Sequence, residues 1–103
     1  MARLGELAQL VRSKNAGPFA LTFDVLFSDP ALYRQVKATG VLGPALFARL
    51  YGLPPDRVTF AAYDAALAFK ATIPRPIPSG DPADTDVYGG QQFAPILDVE
   101  IPL

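Results

Sequence analysis

The run FALTFDVLF, Phe19 to Phe27, alternates so regularly that it constrains everything around it. Phe19, Leu21, Phe23, Val25 and Phe27 fall on one face; Ala20, Thr22, Asp24 and Leu26 fall on the other. A period of two, carried by aromatic and β-branched residues, predicts a β-strand with one strongly apolar face. A single strand is not stable in water. It needs partner strands for its backbone groups and a second layer over its apolar face.

The segment SDPALYRQVKATG supplies such a layer. Ser28 or Asp29 caps a helix, Pro30 fits its first turn, Leu32 and Val36 form an apolar stripe, and Gly40 suits a left-handed stop. A second helix follows, with Leu42, Leu46 and Leu50 spaced by four and Phe47 and Tyr51 alongside, closed by Gly52 and Pro54-Pro55. The two short helices read as one interrupted layer.

Partner strands are predicted at RVTFAAYD, Arg57 to Asp64, at LAFKATIP, Leu67 to Pro74, and at ILDVEIP, Ile96 to Pro102. Glu6 to Arg12 also reads as a strand, although Leu7, Leu10 and Val11 have helical spacing. From about residue 74 to 95 the chain loses periodicity and becomes rich in proline, which predicts a long loop. The order β, β, α, α, β, β, loop, β gives an α+β fold, an antiparallel sheet with two short helices on one face. The nearest named arrangement is ferredoxin-like. Residues 1–103 read as a single domain.

Half of the 103 residues are hydrophobic and 18% are charged. That is apolar for so small a domain, so part of the surface is expected to be covered by another copy of the chain or by a larger partner. The formal net charge is −1, and no basic block is present, which argues against nucleic-acid binding. No run approaches the roughly 18 apolar residues of a membrane span, and the N-terminus lacks a signal-peptide core. With no cysteine, a reducing, cytoplasmic setting is the expectation.

Histidine is absent as well. Ser-His-Asp and Cys-His catalysis and His-based zinc sites are therefore impossible within this sequence. Any acid–base chemistry would fall to Asp, Glu, Lys or Tyr. No metal and no cofactor is expected.

Three polar stretches remain as site candidates. In RSKNAGPF, Arg12, Ser13, Lys14 and Asn15 can face a carboxylate or phosphate, or can form a solvated polar turn joining two strands. It lacks the spacing of a Walker loop. In KATIPRP, Lys70 and Thr72 share a strand face and Arg75 follows, which gives a basic floor or an ordinary polar outer face. In YGGQQFAP, Tyr88, Gln91 and Gln92 offer hydroxyl and amide groups next to a Gly-Gly pair that allows close backbone approach. Asp81, Asp84 and Asp86 echo an EF-hand loop, but Tyr88 falls on a ligand position and Pro95 on the twelfth, so they read as turn residues.

The stretches RSKNAGPF, LTFDVLF, YRQVKATGVL and KATIPRPIPSGDPADTDVYGGQQFAPILDVEIP together resemble the small bacterial proteins grouped as domain of unknown function 4387. The resemblance spans nearly the whole chain. It implies no established activity. It does imply company with AtuA-like proteins of acyclic terpene utilisation, in acyl-CoA or organic-acid catabolism, and by analogy it supports a ferredoxin-like fold. One position departs: the family pattern is expected to read QQHAP, and this chain has Phe93 in place of the histidine.

Two functional expectations follow. The first is a small accessory or half-site subunit of a catabolic enzyme, bound to a larger AtuA-like partner, with Arg12, Lys14, Asn15, Lys70 and Arg75 serving a carboxylate or acyl-CoA phosphate. The second is a self-sufficient lyase or isomerase, with Lys70 or Tyr88 as the acid–base group and Arg12 as the carboxylate anchor.

Overall fold

The computed structural model describes residues 1–75 and 92–103. Four strands form its central sheet: β2 (Leu10–Asn15), β3 (Ala20–Leu26), β4 (Thr59–Tyr63) and β5 (Ala68–Pro74), following β1 (Ala2–Arg3) and the single helical turn α1 (Leu4–Leu7). Their order is β2-β3-β5-β4, and every neighbouring pair is antiparallel. Helices α2 (Pro30–Thr39) and α3 (Pro44–Tyr51) link β3 to β4. After the helical turn α4 (Ala94–Leu97), the short strand β6 (Glu100–Ile101) pairs with β1 as a separate two-stranded sheet.

The strand predicted from Phe19 to Phe27 is the inner strand β3, with its phase as read. Leu21, Phe23, Val25 and Phe27 are buried beneath the helices, whereas Phe19 is 67% exposed in the turn. The β5 residues Phe69, Ala71 and Ile73 continue the apolar floor. Helix α2 lays Tyr33 over Phe69, ring centroids 4.9 Å apart, and α3 with Tyr51 lies over Phe23, at 5.7 Å for Phe47 and 4.8 Å for Tyr51. Each buried aromatic or aliphatic side chain contributes about 1.5–3 kcal/mol by leaving water, so this one interface dominates the stability. Leu4, Ile96 and Ile101 add to the same core.

The helix boundaries follow from local chemistry. Asp29 Oδ1 accepts the Ala31 N–H at 2.9 Å, Pro30 occupies the first turn, and Gly40 closes α2 at φ 70°, where a Cβ would be strained. Tyr33 and Val36 are the buried positions of α2.

Several expectations need correction. The segment Glu6 to Arg12 is not one strand: α1 takes its first residues, and β2 begins at Leu10. The polar RSKN is not a turn but the last four residues of β2, because the antiparallel ladder with β3, through the Arg12–Asp24 and Lys14–Thr22 pairs, satisfies its backbone groups. The turn is confined to Ala16–Phe19, where Gly17 sits at φ 83° and Ala16 N–H donates to Ala20 O at 2.9 Å. Ile96 and Leu97 are helical, and only Glu100–Ile101 remains of the final strand. A ferredoxin-like arrangement is not confirmed. That fold joins two split βαβ units in one antiparallel sheet, whereas here a hairpin, two helices and a second hairpin leave one helical crossover in the four-stranded sheet, from β3 to β4 around β5, among the described residues.

Candidate functional site

Because α2 and α3 cover one face of the sheet, the alternate residues of each strand form the other face. Register assembles them into cross-strand rows. Arg12, Asp24, Lys70 and Ala61 lie side by side on β2, β3, β5 and β4; Lys14, Thr22, Thr72 and Thr59 form the next row. Strands are about 4.8 Å apart, so three cations from two non-adjacent strands share a patch roughly 10 Å wide.

Within the patch the Arg12 Nε–H donates to Asp24 Oδ2 at 2.9 Å. Asp24 is deeply set, with its side chain 13% exposed, while Arg12 is half exposed. The hydroxyls of Thr22 and Thr72 are 3.3 Å apart, each able to donate to the other. Lys14 and Lys70 are exposed and make no ion pair among the described residues. Among the described residues the patch thus holds one neutralised pair, two exposed ammonium groups without an ion pair, and a threonine row in which Thr22 is buried. Such a surface attracts anions and offers them donors. Lys70 is exposed, whereas a lysine activated for nucleophilic or basic work is desolvated.

The remaining candidates lie elsewhere. Ser13 is buried and faces the helical side, in register with Phe23. Asn15 and Arg75 have the same parity as Ser13 and meet each other, the Arg75 guanidinium donating to Asn15 Oδ1. Gln92 accepts the Tyr51 hydroxyl on its backbone carbonyl at 2.6 Å, and burial pushes the Tyr51 phenol up. Tyr88, Gln91 and the Asp81, Asp84 and Asp86 cluster lie outside the described residues. The structure therefore brings Arg12, Lys14, Lys70 and Thr72 together and separates them from Ser13, Asn15, Arg75 and Gln92.

Sequence reading missed Thr22 and Asp24 as members of this face, although both alternate outward in the quoted run. It also missed a second polar centre. Asp64, just after β4, accepts the Tyr33 hydroxyl at 2.7 Å and the Lys37 ammonium at 2.8 and 3.1 Å. The Lys37 and Tyr33 hydrogen bonds hold the Asp64 carboxyl below its usual range. Desolvation, with Asp64 beside it, pushes the Tyr33 phenol up to about 12, so at neutral pH Tyr33 donates. Tyr33 and Lys37 are one helical turn apart, which is the only local signal for this cluster.

The family model described as Domain of unknown function (DUF4387) matches residues 4–100. The chain belongs to this family. Comparison with the curated proteins and with the solved structures returned no match. In this DUF4387 member, no helix among the described residues is long and apolar enough to cross a membrane.

Proposed function

We propose that this protein is a small accessory subunit of a catabolic enzyme acting on an organic acid or acyl-CoA, and that it docks on a larger AtuA-like chain. Its sheet face opposite α2 and α3 supplies half of a site for a carboxylate or phosphate. The observation that carries this reading is the cluster of exposed cations, Arg12, Lys14 and Lys70, on the sheet face opposite α2 and α3. Exposed cations attract an anion but cannot exclude water from it, so in this reading a second chain closes the site. The missing histidine and cysteine agree with a supporting role. A cytoplasmic location belongs to the same reading.

A self-sufficient lyase or isomerase draws no support from the exposed position of Lys70. The test is reconstitution with the larger chain. Replacing Lys14 and Lys70 by alanine, with Arg12 retained so that Asp24 keeps its partner, is expected to abolish the joint activity while the fold stays intact. Full activity of that variant would rule out the sheet face as part of the site.

A further inference from the structure

The second polar centre opens onto a cleft of about 510 Å³ on the helical side of the molecule. One side of α2 walls it with Tyr33, Arg34, Lys37 and Ala38; Asp64 and Leu67, from the connection between β4 and β5, form the opposite wall. That volume lies within the range of small-ligand sites.

Its charges are unequally committed. Asp64 is occupied by Tyr33 and Lys37, whereas Arg34 makes no ion pair among the described residues. One guanidinium therefore remains for a ligand, and a planar fork of donors suits a carboxylate. A second negative group on the same ligand would meet Asp64. The rest of the lining is apolar, from Ala38, Leu67 and the stem of Lys37.

Leu67 adds an independent sign. It is the one non-glycine residue at positive φ among those described, at 52°, a conformation that glycine or asparagine adopts more readily. The backbone is fixed there by Phe27 N–H donating to Leu67 O at 2.9 Å. A strained position that nonetheless carries a large apolar side chain, on the wall of a cleft, is a mark of function.

We propose that this cleft binds a small monocarboxylate with a hydrocarbon chain, the carboxylate on Arg34 and the chain against Ala38 and Leu67. The site is distinct from the sheet face, and neither reading depends on the other. The probe is sodium hexanoate, titrated into the ¹⁵N-labelled protein at constant ionic strength with hexan-1-ol as the uncharged control. Saturable amide shifts are expected at Arg34, Lys37, Ala38 and Leu67. Hexan-1-ol is expected to bind at least roughly tenfold more weakly, since it offers no charge to the guanidinium. Arg34 is exposed, so Arg34→Gln retains the fold and is expected to weaken hexanoate by roughly the same factor. Equal binding of the alcohol, unchanged affinity in Arg34→Gln, shifts centred on Lys14 and Lys70 instead, or no saturable shift would each overturn the proposal.

Discussion

Arg12 on β2 holds Asp24 on β3 through a 2.9 Å hydrogen bond, and the carboxylate it holds is nearly buried while the guanidinium is half exposed. The asymmetry matters when one partner is removed. Losing Arg12 leaves a poorly solvated charge behind, whereas losing the charge on Asp24 releases an arginine into water. Arg12→Ala is expected to cost about 1–2 kcal/mol, with part of that recovered when Asp24→Asn is added. Urea unfolding of the two single variants and the double variant measures the coupling. Strictly additive costs would mean that the pair contributes nothing beyond its separate contacts.

Tyr33→Phe keeps the ring against Phe69 and Phe27 but removes the donor to Asp64. The expected loss is about 1 kcal/mol, typical of a single hydrogen bond. The pH dependence has a definite sign. The folded phenol is raised from 10.0 to about 12, so its contribution is complete below pH 10 and is lost as pH rises through about 12. The folded Asp64 carboxyl is lowered from 3.8, so its contribution is complete above about pH 4 and is lost as pH falls through the depressed value. Thermal unfolding of Tyr33→Phe is expected to show a shallower alkaline limb than the parent. An identical alkaline limb would remove Tyr33 from the linkage.

Strand β5 provides an internal contrast, because adjacent residues face opposite sides. Phe69 stacks among Tyr33, Phe27 and Phe60, at 4.9, 6.0 and 6.1 Å. Phe69→Ala is expected to cost about 3–5 kcal/mol, enough to threaten folding at this size. Lys70→Ala, one residue along, is expected to change stability by no more than about 0.5 kcal/mol. Comparable losses at both positions, read from denaturant midpoints, would contradict the assigned faces.

Gly5 marks the crossing of α1 and α4. A Cβ added there would sit 3.2 Å from Leu97 Cβ, Cδ2 and carbonyl O. The side-chain atoms can shift, but the carbonyl moves only with the backbone. Gly5→Ala is expected to cost about 1 kcal/mol through overpacking, a fall in Tm of roughly 4–8 °C for a domain of this size. An unchanged Tm would mean that the crossing is loosely packed.

What could be read in advance follows a physical divide. The alternation from Leu21 to Phe27 and from Phe69 to Ile73 set strand phase locally, and the Asp29-Pro30 start and Gly40 stop bounded α2. The fate of RSKN was not local. Its residues are turn-like by composition, and only pairing with β3 draws them into a strand. That pairing also divides the candidates: neighbours in sequence, such as Arg12 and Ser13, point to opposite faces, while Lys14 and Thr72, far apart in sequence, share one. Lys70 with Thr72 was legible because both lie on one strand. Their meeting with Arg12 and Lys14 depends on cross-strand register, which short polar strands specify weakly. Asp64 and Tyr33 lie 31 positions apart and meet only when the connection between β4 and β5 folds against α2.

Charge reversal at Lys14 and Lys70 decides whether the sheet face opposite α2 and α3 docks on a larger chain. The tagged parent and the Lys14→Glu/Lys70→Glu variant would each be mixed with the purified AtuA-like chain, and their masses followed by light scattering. The account predicts a stoichiometric complex for the parent and separate species for the variant, whose unfolding midpoint stays close to the parent's. No complex with the parent, or one that forms equally well after charge reversal, would contradict it.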